Sequence, residues 1–322
     1  MRDGPAVVPS LEIGGTHVTA ALIDLDARAV IGAPVREELP CHGGADEILG
    51  RIAATADRID APRGARWGVA VPGPFEYATG VARFEGVGKF DSLYGVDLGA
   101  ELRRRMRTGP AALRFVNDAD AFGIGEYAVG AAAGHARAVC LTLGSGVGSS
   151  FLDHGVPVDD GPLVPGGGRA HRLSFDGRPL EDTVSRRGIR TAYARASPDG
   201  ADVSPDVRTI AERARAGEAA ARFVLHHAFR ALGLTMAPWL RRFEATVLVV
   251  GGSIAGSWDL VEAPLRSGMA EAGPGGGAVL PLPCSARRPE DAPLVGAARW
   301  AASGSGPLTG GVPDRTRRPA YD

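Results

Sequence analysis

Leu113-Arg-Phe-Val-Asn-Asp-Ala-Asp-Ala121 is a short apolar segment that ends in polar residues. It contains Asn117, the single asparagine of the 322-residue chain, and Asp118 follows directly. Residues 113–117 read as a strand and residues 119–134 as an alanine-rich helix. Open α/β sheets place ligand-binding groups at such strand ends. Asp118 is therefore a candidate functional carboxylate, and the alternative is that it only caps the helix.

Two glycine turns flank this strand in the sequence. Residues 11–24 read as strand, Gly14-Gly15-Thr16 and strand, and residues 138–152 repeat the pattern around Gly144-Ser145-Gly146. Glycines beside a hydroxyl let backbone N–H groups approach a phosphate closely, although a plain hairpin turn is the alternative. The repeated pattern predicts two similar halves that face each other across a cleft.

Hydrophobic periodicity predicts the remaining elements. Helices are predicted over residues 45–59, 97–106, 206–217, 218–243, 260–270 and 291–302. Further strands are predicted over residues 67–71, 246–250 and 278–282, and a third glycine turn, Gly251-Gly252, follows the second of them. Alternating strands and helices predict an α/β fold. The Gly-, Pro- and Arg-rich residues 303–322 are predicted to be a disordered tail.

Composition narrows the function classes. Hydrophobic residues make up 44% of the chain, charged residues 23%, and the net charge is −1, so the sequence predicts a globular protein without affinity for nucleic acid or anionic membranes. The three cysteines form no CxxC pair, which fits a reducing cytosol. The absence of an apolar run of membrane-spanning length and of a signal sequence favours a cytoplasmic location.

Three isolated polar residues are further candidates. Lys89 is the sole lysine of the chain and lies in a glycine-rich connection, where it either contacts substrate or is an exposed cation. His171 and Glu181 follow another glycine-rich stretch. Ordinary structural roles are the alternative for both.

Taken together, the motifs resemble those of the ROK sugar kinases, within the actin-like ATPase and sugar-kinase superfamily. The matching segments follow the family's order over residues 8–302: Glu-Ile-Gly-Gly-Thr (12–16), Asn-Asp-Ala (117–119), Leu-Thr-Leu-Gly-Ser-Gly-Val-Gly (141–148), the His171 region, Leu180-Glu181 and Val-Val-Gly-Gly-Ser (249–253). The resemblance implies two actin-like (ribonuclease H-like) α/β domains with an interdomain cleft. We expect the first to cover residues 1–118, completed by the helix at 291–302, and the second residues 119–290.

The resemblance also implies roles for individual residues. Asp118 would be the general base, and Asn117, His171 and Glu181 would bind substrate hydroxyls. Gly14, Gly15, Thr16, Gly144, Ser145 and Gly146 would cradle the phosphates of ATP, and Gly251 and Gly252 would back the adenosine. Mg²⁺ would bridge the phosphates. Homodimers are the family habit.

Four departures from the family pattern concern the metal and the acceptor. Glu12 stands where the family usually has aspartate, and it still permits a water-mediated Mg²⁺ contact. The three-cysteine zinc loop is missing, so no structural zinc is expected. Gly167-Gly168 replaces Gly-Glu, and the segment Val87-Gly-Lys-Phe90 replaces Asn-Leu-Gly-Trp.

These losses change the hydrogen bonds offered to the acceptor, and unmatched buried polar groups discriminate strongly between substrates. ROK kinases without the zinc motif include C7-cyclitol kinases of aminocyclitol antibiotic pathways. A valiolone- or valienone-like cyclitol is therefore the expected acceptor, with a hexose such as glucose, fructose or mannose as the alternative.

Three other kinds of protein fit the sequence less well. A ROK transcriptional repressor is expected to carry a DNA-binding domain before the first glycine turn, where this sequence has about ten residues. A catalytically silent sugar-binding relative would not need Asp118. A Rossmann dehydrogenase is disfavoured because no GxGxxG motif follows the first strand.

Overall fold

Two mixed β-sheets and the helices packed on them make up the part of the chain that the computed structural model describes, residues 6–197, 205–273 and 279–303. The strands in these ranges are β1 (Val7–Ile13), β2 (His17–Asp24), β3 (Ala29–Glu38), β4 (Arg66–Val71), β5 (Phe75–Glu76), β6 (Val81–Ala82), β7 (Ala112–Asn117), β8 (Arg137–Leu143), β9 (Val147–Asp153), β10 (Val156–Pro157), β11 (Ser174–Phe175), β12 (Arg178–Pro179), β13 (Val247–Gly251) and β14 (Pro283–Ser285). The α-helices are α1 (Ala45–Ala56), α2 (Leu98–Arg105), α3 (Asp118–Val129), α4 (Glu181–Val184), α5 (Arg186–Ala196), α6 (Val207–Arg215), α7 (Ala219–Arg242), α8 (Trp258–Glu271) and α9 (Ala292–Ala302).

The two five-stranded sheets share one arrangement. Their strand orders are β3-β2-β1-β4-β7 and β10-β9-β8-β13-β14. In each sheet an antiparallel hairpin, β1–β2 or β8–β9, is extended by two parallel strands on the side of its first strand. The prediction of two similar halves, each starting with a strand–glycine turn–strand unit, is therefore confirmed.

Helices α3 and α9 pack against each other between the two sheets. Helix α9 lies on β1 and β4, and α3 lies on β8 and β9. The two helix backbones can approach closely because each helix has a glycine at the contact. A Cβ at Gly125 of α3 would overlap the carbonyl of Ala292, and one at Gly296 of α9 would overlap that of Ala121. This contact joins the two halves at the helix that begins with Asp118.

The predicted helices are present with small differences at their ends. Helix α3 ends at Val129, directly before Gly130, and is therefore shorter than the helix predicted to reach residue 134. Helix α2 starts after Asp97, whose Oδ1 accepts a hydrogen bond from the Ala100 N–H at 2.8 Å and so caps it. Helix α5 and strand β3 lie in segments for which no element is predicted.

The last predicted strand, over residues 278–282, is wrong. The strand is β14, which starts at Pro283 and pairs in parallel with β13 over three residues. Val279 and Leu282, which carried the prediction, are 91% and 70% exposed. An apolar run thus predicted a strand where the chain only approaches the sheet edge. The predicted disordered tail, beyond Ser303, lies outside the described residues.

Candidate active site

Asp118 lies at the junction between β7 and α3, as predicted. The helix cap is Asn117, whose Oδ1 accepts hydrogen bonds from the N–H groups of Ala119 at 3.0 Å and Asp120 at 3.4 Å. Asp118 Oδ1 accepts from the Ala119 N–H at 2.9 Å. Its other carboxylate oxygen has no hydrogen-bond partner within the described part of the chain. The cap is thus supplied mainly by Asn117, and Asp118 keeps one oxygen free.

The amide nitrogen of Asn117 is also engaged. It donates to the hydroxyl of Tyr77 at 2.9 Å, and that hydroxyl donates to the carbonyl of Val71 at 3.2 Å. Burial raises the pKa of Tyr77 well above its ordinary value. Tyr77 was not found by sequence reasoning, because nothing in its segment marks it as a partner of a residue 40 positions later. The predicted contact between Asn117 and substrate stays a prediction. It would have to use hydrogen-bonding capacity of the Asn117 amide that is not already engaged by Tyr77 and the helix cap.

Three carboxyl groups around the junction have raised pKa values. Burial is the largest cause for Asp118, opposed by the hydrogen bond from the Ala119 N–H and by the charge of Lys89. Burial and then the charge of Asp118 raise the pKa of Glu12 to about 7. Burial likewise raises the pKa of Asp120 to about 7, although Ser150 Oγ donates to it at 2.7 Å. Asp120 is the third of these acidic residues, and sequence reasoning missed it.

The Gly14-Gly15-Thr16 turn closes the β1–β2 hairpin beside these carboxyl groups. The Gly14 N–H donates to the carbonyl of His17 at 2.8 Å, and Thr16 Oγ1 lies 2.8 Å from His17 Nδ1. A Cβ built on Gly15 would stand 2.8 Å from Lys89 Nζ. Glycine at position 15 therefore leaves room for an ammonium group against the turn.

The second turn, Gly144-Ser145-Gly146, connects β8 and β9. The Gly144 N–H donates to the Gly146 carbonyl at 3.0 Å, and the Arg186 N–H donates to the Gly144 carbonyl at 2.9 Å. Glu181 lies against this turn, since its Oε2 accepts from the Val147 N–H at 3.4 Å. Arg186, which begins α5, is a neighbour that sequence reasoning missed.

His171 and Glu181 lie near each other, although ten residues separate them in sequence. His171 is half-buried, and burial lowers its pKa while the negative charge of Glu181 opposes that change. Glu181 therefore lies beside the second glycine turn, in range for its charge to act on His171. The role of both residues in binding substrate stays a prediction.

Gly167 and Gly168, which precede His171, have φ values of 67° and 66°. A side chain is strained at such angles. Gly168 stands where the ROK pattern usually has a glutamate, and the backbone conformation at this position favours glycine in this chain.

Packing alone accounts for the glycines of the third turn. A Cβ on Gly251 would overlap the ring of Phe122, and one on Gly252, whose φ is 84°, would overlap the backbone of Leu143. Both glycines are therefore needed for β13 to lie against β8 and α3. Their role beside adenosine stays a prediction.

The surroundings fit a metal that is held by nucleotide phosphates. Within residues 6–197, 205–273 and 279–303, no group of three or more His, Cys, Asp or Glu is arranged to hold a metal ion. Glu12 offers one carboxylate next to the first turn, and Mg²⁺ is often held by one or two carboxylates together with substrate phosphates. The expectation that zinc is absent stays a prediction. No helix in these ranges is long and apolar enough to cross a membrane.

The comparisons with known proteins agree with this arrangement. The model of the ROK family matches residues 8–159. A glucokinase from Thermotoga maritima is 26% identical over 279 residues, covering 80% of this chain and 84% of that protein. A ROK family glucokinase from Streptomyces griseus, solved with glucose and AMPPNP, superposes with a TM-score of 0.74 at 22% identity over 92% of this chain and 100% of the other. A ROK hexokinase from Thermus thermophilus gives a TM-score of 0.71 at 23% identity over 91% and 97% of the two chains.

Fold and site together define a two-domain α/β protein with the actin-like fold. The chain is similar to proteins of the ROK family, whose model matches residues 8–159. The resemblance to ROK sugar kinases, predicted from the glycine turns and the Asn117-Asp118 pair, is thereby confirmed.

Proposed function

We propose that this protein is an ATP-dependent kinase that phosphorylates a hydroxyl of a sugar or of a sugar-like C7 cyclitol, with Asp118 as general base. The observation that carries the proposal is the shared location of Asp118 and the Gly14-Gly15 turn. Lys89 links the two, since its ammonium group lies against Gly15 and its charge acts on the Asp118 carboxyl group without a direct contact. A base and a phosphate-binding turn linked in this way suit phosphoryl transfer to an alcohol.

The carboxylate of Asp118 has the properties that a base needs. One oxygen is held by the Ala119 N–H, and the other is free to accept the proton of an acceptor hydroxyl. Burial raises the pKa of Asp118, which makes its ionised form a stronger base. Bound ATP with Mg²⁺ would supply the phosphoryl group, held by Gly14, Gly15, Thr16, Gly144, Ser145 and Gly146, with Gly251 and Gly252 beside the adenosine and Glu12 toward the metal.

The acceptor is the finer part of the proposal. His171, Glu181 and Asn117 would bind its hydroxyl groups. Gly167 and Gly168 provide no carboxylate, and their left-handed backbone disfavours one. Since an acceptor with the full set of glucose hydroxyls would lack that partner, we favour a C7 cyclitol of the valiolone or valienone type. A hexose is the second candidate, because relatives of this chain are named glucokinases.

An ADP-release assay across hexoses, N-acetylhexosamines and C7 cyclitols tests the proposal. We expect turnover with at least one class, and the highest kcat/KM with a cyclitol. Turnover with glucose alone would replace the cyclitol by the hexose. No ADP release with any acceptor would contradict the kinase proposal and favour a non-catalytic sugar-binding ROK protein. The cytoplasmic location and the homodimer also stay proposals, the second testable by sedimentation.

A further inference from the structure

Lys89 is held in place by the residue that follows it. Phe90 is 1% exposed, its N–H donates to the carbonyl of Cys41 at 2.6 Å, and its ring lies 5.3 Å from that of Phe84. Phe90 also has a φ of 60°, which turns the chain sharply after Lys89. The backbone at Lys89 is therefore anchored in the core of the first half, although the glycine-rich segment before it is exposed.

The side chain of Lys89 extends along the first glycine turn. A Cβ on Gly15 would lie 2.8 Å from Lys89 Nζ and 3.4 Å from its Cδ. Any larger residue at position 15 would have to displace the lysine. The missing side chain of Gly15 thus makes room for a cation inside the turn.

This ammonium group has no partner among the described residues. Lys89 is half-buried, yet it makes no hydrogen bond and no ion pair with any residue in that part of the chain. Its charge acts on Asp118 and lowers the pKa of that carboxyl group, without a direct contact. A partly buried cation between a glycine turn and a carboxylate is suited to an anionic ligand, because a charge-assisted hydrogen bond there would compensate its lost hydration.

We propose that Lys89 binds the phosphoryl group in transfer, between the Gly14-Gly15 turn and Asp118, and does not bind a hydroxyl of the acceptor. This inference rests on the proposed kinase function and differs from the expectation, itself untested, that Lys89 contacts the substrate to be phosphorylated. It also gives a reason for glycine at position 15.

Atoms and electrons balance in the proposed transfer step. The acceptor oxygen forms a bond to the terminal phosphorus of ATP, and its proton passes to the free oxygen of Asp118. The bond from that phosphorus to the bridging oxygen breaks, and its electron pair leaves with ADP. Lys89 gains and loses no proton in this step. Its fixed positive charge stabilises the negative charge on the phosphoryl oxygens during transfer.

Nucleotide binding provides a test that does not depend on the acceptor. Lys89→Met keeps the length of the side chain and removes the charge. In isothermal titration with Mg²⁺, we expect it to weaken binding of the β,γ-imido analogue of ATP by about 10- to 100-fold and binding of ADP by less than about twofold, since only the first ligand has a γ-phosphate. Lys89→Arg, which keeps the charge, is expected to retain most of the preference for the ATP analogue.

Arg83→Met is the matched control. Arg83 lies in the same connection, has a side chain that is 42% exposed, and pairs with Glu76 at 2.6 Å, so its loss changes net charge equally but should leave both nucleotide affinities unchanged. With an acceptor found by the ADP-release screen, Lys89→Met is expected to lower kcat at least tenfold with acceptor KM within about twofold. The melting temperature of each variant shows whether it is folded.

Three results would overturn the proposal. One is an unchanged ratio of ATP-analogue to ADP affinity in Lys89→Met. Another is an equal loss in Lys89→Arg, which would show that the charge is not responsible. The third is a raised acceptor KM at unchanged kcat, which would return Lys89 to the acceptor site. Failure of the kinase proposal is distinct, because it appears as absent turnover in the wild type while the nucleotide titrations still report on Lys89.

Discussion

Replacing Asp118 by asparagine separates the chemical role of this residue from its structural one. Asparagine has the same size, and its Oδ1 can still accept the hydrogen bond that the Ala119 N–H donates at 2.9 Å. The helix cap is unaffected because Asn117 supplies it. Only the negative charge and the ability to take up a proton are lost.

The expected loss of activity follows from the work of a general base. Such a group contributes about 10²- to 10⁴-fold, which corresponds to about 3–5 kcal/mol on the activation barrier. We expect Asp118→Asn to lower kcat by this factor and to leave acceptor KM nearly unchanged. The wild-type kcat/KM is also expected to fall on the acid side at a pH above the ordinary range of an aspartate, since burial raises the pKa of Asp118 and the ionised form is the active one.

Stability is expected to change in the opposite direction. A folded-state pKa above the unfolded value of about 3.9 means that folding disfavours the ionised carboxylate, so the contribution of Asp118 to stability declines as pH rises through its folded pKa. Asparagine removes this decline. The melting temperature of Asp118→Asn should therefore equal or exceed that of the wild type at pH 8, and the difference should shrink toward pH 4.

Asp97→Asn is the control for this pair of measurements. Asp97 precedes α2, is exposed, and accepts from the Ala100 N–H at 2.8 Å, so it undergoes the same chemical change at a helix start away from the site. ADP release and thermal unfolding of both variants decide the matter. Turnover of Asp118→Asn within tenfold of the wild type would refute the assignment of the base. A clearly lower melting temperature at pH 8 would refute the reasoning from burial.

Other substitutions test the surroundings of the site. Asp120→Asn should raise the melting temperature more at pH 8 than at pH 5, because the pKa of Asp120 is raised to about 7 and its ionised form is disfavoured in the fold; an equal difference at both pH values would contradict this. Glu126→Gln should lower the free energy of urea unfolding by about 1–3 kcal/mol, since the buried carboxylate accepts from three backbone N–H groups and an amide has only one oxygen to accept them. Unchanged stability would show that these N–H groups find other partners in the variant. Gly296→Ala should cost about 1–3 kcal/mol by forcing α9 from α3, whereas Gly50→Ala, in open space on α1, should be neutral or stabilising; equal effects would refute the close contact.

The elements of the candidate site could be predicted from sequence because they depend on local pattern. A strand that ends in Asn117-Asp118 and two glycine turns are each visible within about fifteen residues. The sheets followed in the same way from hairpins and parallel strands.

What the sequence did not show is the set of contacts between distant segments. Tyr77 holds Asn117 through a single hydrogen bond, and neither its neighbours nor its residue type marks it. Gly251 and Gly252 look like a ligand turn in the sequence, yet Phe122 and Leu143 already require glycine there. In a sequence, a glycine needed for close approach of a ligand looks the same as one needed for close packing of the protein itself. Only the structure distinguishes the two.

The two glycine turns also differ in a way that their similar sequences conceal. Lys89, a cation, lies against Gly15 in the first turn, whereas Glu181, an anion, lies against Gly146 in the second. The most negative phosphate group of a nucleotide is therefore favoured beside the first turn over the second, and the charge of Glu181 also acts on His171. Under the proposed function, the terminal phosphoryl group would lie at the first turn, next to Asp118, and the other phosphates would contact the backbone of the second turn. The side chains of Glu181 and His171 would then bind hydroxyl groups of the acceptor.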